Sequence, residues 1–166
     1  MPLVKDGQPV EDTWITLGDG DAVPADGAII VTLARWTAEK DALSARSAPV
    51  GVEAPGTTPA ADLAADLGRL GVIAIRFPIF RDGRGFSLAR DLRERHGYGG
   101  EIRAVGHTLP DQYQFLIRCG FSTVEPPDGK DPALWTAAHG AITVAYQASI
   151  AEESPLGLLR RRFTGS

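Results

Sequence analysis

Short runs of β-branched and aliphatic residues alternate along the chain with stretches of helical spacing. Ala28–Thr32 (AIIVT) follows the turn pair Asp26-Gly27 and reads as a strand. Leu33–Ala45 carries Arg35, Trp36, Glu39, Lys40 and Leu43, the spacing of an amphipathic helix with one polar face. Pro49 blocks further helix, and Val50–Ala54 reads as a second strand. Thr58 as N-cap and Pro59 at the first helical position open a helix with Leu63, Leu67 and Leu70 on one face, ended by Gly71. Val72–Phe77 (VIAIRF) is the clearest strand, and Phe80–Gly85 is a loop. Ser87 is placed to cap a helix over Leu88–His96, with Gly97 as its stop. Glu101–Gly106 is the next strand. Asp111 with Gln114 forms a capping-box pattern for a helix to Cys119, stopped by Gly120, and Phe121–Val124 follows as a short strand. Asp131-Pro132 opens a last helix toward Gln147, against which Gly140, Ile142, Thr143 and Val144 argue.

Alternating strands and helices with nearly all-apolar strands imply a mainly parallel sheet covered on both faces. The expectation is an open three-layer α/β/α sandwich of five strands, with Thr13–Leu17 as a sixth at an edge. Five or six strands are too few for an eight-stranded barrel; a partial βα barrel is the alternative. Residues 1–153 are expected to form a single domain, with 1–25 an irregular stretch, hairpin or edge strand. Residues 154–166, with Arg160-Arg161-Arg162, are expected to be a solvated, flexible basic tail.

Composition narrows the classes. The 166 residues carry a formal charge of -4 with a pI near 5.3, which disfavours a general nucleic-acid binder. Cys119 is the single cysteine, so no internal disulfide can form, and a reducing cytoplasm is the expected compartment. The apolar runs are of strand length, giving no signal peptide and no membrane span.

In parallel sheets ligands bind beyond the carboxyl ends of the strands. The residues placed there are Glu53, the loop Arg81–Ser87 (RDGRGFS), His107, Asp111-Gln112 and Glu125. Gly83 and Gly85 allow close backbone approach, and the helix N-terminus beyond them offers free N–H groups. Arg81 or Arg84 adds a planar fork of donors suited to an oxyanion. The competing reading is a plain turn in which Arg84 pairs with Asp82 or Asp91. Arg103 is a further ligand candidate whose face is undecided, and Ser87, Asp111 and Gln112 complete the binding set. His107 or Asp82 is the candidate proton carrier. Three dispersed histidines predict no metal site. Leu88 stands where a dinucleotide fingerprint needs its third glycine, and neither a Walker loop nor CxxC occurs, so the cofactor is left unknown.

The run Phe77–Arg93 (FPIFRDGRGFSLARDLR) resembles the hallmark of a bacterial family, the domain of unknown function 934. Gly99–Gly106, Asp111-Gln112 and Arg118–Phe121 fit the same pattern. The resemblance implies a link to assimilatory sulfate reduction, since members are encoded near sulfite reductase and labelled probable oxidoreductases of sulfite reduction. It leaves two expectations open. One is a site-bearing protein that binds sulfite or an adenylylated sulfate. The other is an accessory module docking onto sulfite reductase or another sulfate-assimilation protein.

Overall fold

The computed structural model describes residues 2–141. The expected helix end near Gln147 and the basic tail 154–166 lie outside the described residues. Among the described residues one sheet contains eight strands: β1 (Leu3–Lys5), β2 (Gln8–Val10), β3 (Trp14–Thr16), β4 (Ala28–Thr32), β5 (Val50–Pro55), β6 (Leu70–Phe77), β7 (Glu101–Gly106) and β8 (Thr123–Val124). The helices are α1 (Leu33–Ala38), α2 (Lys40–Ser44), α3 (Ala60–Ala64), α4 (Arg84–Glu94), α5 (Tyr113–Arg118) and α6 (Ala133–Ala141), with a 3-10 turn over Pro110–Gln112. No helix among the described residues is long and apolar enough to cross a membrane.

Strand order is β2-β1-β8-β7-β6-β5-β4-β3. Neighbours from β3 to β8 run parallel, while β1 is antiparallel to both β2 and β8. This corrects the expected five- or six-stranded open sandwich. From β3 to β8 every strand lies beside its predecessor and always on the same side, whereas a doubly wound sheet reverses at a switch point. Parallel crossovers are right-handed in nearly all cases, so a one-way progression stacks the helices on one face. The packing agrees. Trp36, Leu43, Leu63, Leu88, Leu92, Leu116 and Trp135 from the helices share one buried cluster with Ile29, Val52, Ile73 and Ile102 from the strands. The opposite face holds a smaller cluster of Ile30, Val72, Ala74 and Val105, with Trp14 against it and no helix residue in it. The winding is that of a partial βα barrel.

How far the sheet curls follows from one short link. β2 and β3 are its opposite edges, yet only Glu11, Asp12 and Thr13 separate them. Laid flat, seven gaps of about 4.8 Å would hold the edges roughly 34 Å apart. The link from Val10 to Trp14 reaches at most about 14 Å. The sheet therefore curls until its edges face each other across a seam bridged by Glu11–Thr13. The expected count of five or six strands falls short because β1 and β2 form a hairpin in the Gly- and Pro-rich N-terminus, turned at Asp6 and Gly7 with φ of 50° and 72°.

Three local expectations also change. Glu39 divides the expected Leu33–Ala45 helix into α1 and α2. Leu70, expected on a helical face, opens β6, where it is buried. α4 begins at Arg84 with Gly83 as its cap residue, so Ser87 lies inside the first turn and is not the N-cap. The Asp82 side chain supplies the capping acceptor instead, receiving the Arg84 N–H at 3.1 Å. At the start of α4 a Cβ on Gly85 would sit 2.7 Å from Phe77 Cζ, and one on Gly56 would sit 2.8 Å from Gly85 N. These two glycines let the helix settle directly on β6 and on the β5–α3 turn.

Candidate functional site

Strand alternation sends every second side chain to the concave face, which the helices among the described residues leave uncovered. Glu53 on β5, Arg76 on β6 and Arg103 on β7 line a cleft there of about 270 Å³, with Asp12 from the seam, Trp14 and Glu125 just past β8. Ile30, Ala74 and Val105 form its apolar floor.

Arg103 is the most deeply held of these charges, 1% exposed. Its Nε donates to Glu101 Oε1 at 2.9 Å and its Nη1 to Asp12 Oδ2 at 2.8 Å. Its Nη2 is buried without a hydrogen-bond partner among the described residues. Thr123 Oγ1 donates to the same Glu101 oxygen at 2.6 Å. The other oxygen of Asp12 accepts the Trp14 N–H at 3.0 Å, so one carboxylate ties the seam to β3 and to β7. Arg76 forks onto Glu53: Nη2 donates to Oε2 at 2.8 Å and Nε to Oε1. Those bonds to Glu53 hold the Arg76 guanidinium above its usual pKa. The Glu125 carboxylate accepts no hydrogen bond from the described residues. Burial pushes its pKa up; Arg103 and Arg76 pull it back, and Asp12 and Glu53 add to the rise.

The loop residues form a second group. Arg84 Nε and Nη2 donate to Asp82 Oδ1 and Oδ2 at 2.8 and 2.6 Å. Asp82 thus places its own carboxylate where an oxyanion at this helix start would sit, and an external anion would have to displace it. These bonds hold the Asp82 carboxyl down at about 2. Gly83 faces open space. Arg84 and Ser87 line a groove with Thr57 and Thr58, whereas the Arg81 guanidinium stacks 5.2 Å from the Phe80 ring centroid. His107 is exposed, and its backbone N–H donates to Phe77 O at 2.9 Å. Asp111 is exposed on the 3-10 turn. Gln112 joins the two loops: Nε2 donates to Phe80 O at 2.7 Å, and Oε1 accepts the Leu109 N–H at 3.1 Å. His107 and Asp111 line neither the cleft nor the groove, and Arg103 belongs to the cleft alone of these two hollows. The Cys119 thiol is buried, and burial pushes its pKa up. Among the described residues, no three His, Cys, Asp or Glu side chains gather as a metal-binding group.

Residues 51–157 match the family model described as Bacterial protein of unknown function (DUF934). The chain belongs to this family. No curated protein and no solved structure matches it. The stretch shared with the DUF934 family contains Glu53, Arg76, Arg103 and Glu125 of the cleft as well as the loop Arg81–Ser87. Asp12 and Trp14 lie outside it. Arg76 escaped the sequence reading although a signal was present, since a charge inside VIAIRF shares its face with Val72 and Ala74. Asp12 left no such signal, because only the seam brings it to β7.

Proposed function

We propose that the concave cleft is a small-molecule site, and that the protein serves assimilatory sulfate and sulfite reduction in the cytoplasm, the setting its family resemblance implies. One observation carries the first part: the inner face of the curled sheet, which no helix among the described residues covers, is lined by paired charges and an aromatic ring around an apolar floor. Small-molecule sites combine mostly apolar walls with a few convergent polar groups. The test is calorimetric titration with sulfite, sulfate, adenosine phosphosulfate and a set of small charged and neutral metabolites. At least one compound should give heat that Arg76→Met abolishes and Arg84→Ala leaves unchanged. Loss with Arg84→Ala instead would move the site to the loop, and no heat from any compound would remove the reading.

A second reading, an accessory module docking onto sulfite reductase, draws on Ile79, Phe80, Leu109 and Phe115. They are 58, 42, 38 and 46% exposed on the two loops joined by Gln112 and on α5 beside them. Exposed apolar groups with polar neighbours mark contact surfaces. Co-purification with the reductase, lost on Phe80→Ser, is the expected result. Clean separation by gel filtration at micromolar concentration would rule out a stable complex.

A further inference from the structure

We infer that the concave cleft takes an amino-acid-sized zwitterion, its acidic group on Arg103 and its ammonium on Glu125. This rests on the cleft being a small-molecule site and names the class of its ligand. Arg103 supplies the first argument. It is 1% exposed and has both Nε and Nη1 engaged, yet Nη2 has no partner among the described residues. A buried charged donor left unpaired is destabilising, and an acceptor oxygen from a ligand removes that penalty.

Charge balance supplies the second. Among the described residues, the cleft lining sets three carboxylates, Asp12, Glu53 and Glu125, against two guanidinium groups, Arg76 and Arg103, with Glu101 bonded to Arg103 beside it. A bare dianion such as sulfate meets more carboxylate than guanidinium, while a simple cation leaves Nη2 unmet. A zwitterion answers both. Glu125 is the acceptor for the ammonium, because Asp12, Glu53 and Glu101 already receive hydrogen bonds from the two arginines. Trp14 and the floor of Ile30, Ala74 and Val105 accommodate an aliphatic body. The volume of about 270 Å³ lies below the roughly 300–1,000 Å³ of pockets for drug-sized ligands, as a compact ligand requires.

The Trp14 indole N–H resonance, assigned by loss in Trp14→Phe, reports on the cleft. The probes are the standard L-amino acids and taurine, and for each binder its deaminated acid and its decarboxylated amine. At least one zwitterion should shift the resonance, with both single-charge analogues weaker by about tenfold or more. Glu125→Gln, nearly isosteric, should weaken the zwitterion by about tenfold, and Arg103→Met should do the same if it folds. An analogue acid binding as tightly as the zwitterion overturns the inference. So does a shift with sulfite, sulfate or adenosine phosphosulfate but with no zwitterion, which leaves the small-molecule reading standing. No shift with any probe overturns the inference, and the small-molecule reading falls with it only where the calorimetric titration also gives no heat.

Discussion

Asp82 and Glu125 are carboxylates pushed in opposite directions by their surroundings, and each leaves a mark on stability against pH. Arg84 holds Asp82 at about 2 in the folded chain, below the ordinary aspartate pKa of about 3.9. Its contribution is complete above the unfolded pKa and is lost as pH falls through about 2. The melting-temperature gap between wild type and Asp82→Asn should be constant at neutral pH and shrink from about pH 4 downwards; a flat gap down to pH 2 would contradict the fork. Glu125 works the other way, with a folded pKa raised chiefly by burial. Its neutral form is favoured on folding, so the stability is present below the ordinary glutamate pKa of about 4.3 and lost as pH rises past the folded value. Glu125→Gln should therefore match wild type near pH 4 and melt higher at pH 7. Scanning fluorimetry across that range separates the two curves, and a variant that melts lower at pH 7 refutes the assignment.

Between elements, the tightest junctions are an arginine staple and a missing methyl group. From α4, Arg93 Nε donates to Gly120 O at 2.9 Å, Nη1 to Tyr98 O and Gly100 O at 2.6 and 2.7 Å, and Nη2 to Ser122 Oγ at 2.9 Å. One guanidinium thereby fixes the turns before β7 and before β8, and it is no free surface charge for docking. An ammonium cannot span that fork. Arg93→Lys should lower stability by about 2–3 kcal/mol, read from the urea midpoint at unchanged m-value. At Gly51 a Cβ would sit 2.1 Å from Val72 Cγ1 and 2.8 Å from the Val72 carbonyl oxygen, where the β5–β6 register shifts. Gly51→Ala should cost on the order of 2–3 kcal/mol, against a near-neutral Gly68→Ala, whose Cβ would meet nothing within 4 Å. Equal effects from the two variants would discard the argument. The strands β4 to β7 were legible from sequence because continuous apolar runs ended at Gly, Pro and Asp. β1 and β2 were legible only as a hairpin or edge strand somewhere in 1–25, being three residues each with Pro9 inside the second. Helix starts depended on which side chain took the free N–H groups, and at α4 Asp82 preceded Ser87 to that role. Glu53 and Glu125 were visible as polar residues at strand ends and Arg103 as a charge within a strand, but the face they share was not.

Over the whole molecule, the direction of winding lay beyond the sequence pattern, since one-way and doubly wound sheets alternate strands and helices alike. That direction decides that the helices among the described residues share one face and leave a charged hollow on the other. Protection should follow the same plan. Central β6, paired on both sides and largely buried, should exchange its amide hydrogens slowest, and edge strands β2 and β3 fastest. Hydrogen-exchange mass spectrometry checks this, and equal protection of edges and centre would refute it. The pairing of β1 with β8 joins Lys5 to Thr123, and it sets a timetable for synthesis. At about 5–20 residues per second the ribosome needs roughly 6–24 s between making these two strands. Throughout that interval Leu3 and Val4, buried in the finished protein, have no β8 to lie against. The bridge from Asp12 to Arg103 must also wait for β7 to emerge. The β1–β2 hairpin is thus made before the rest of the sheet and secured only after β8, and the cleft matures only when the first and last strands of the sheet meet.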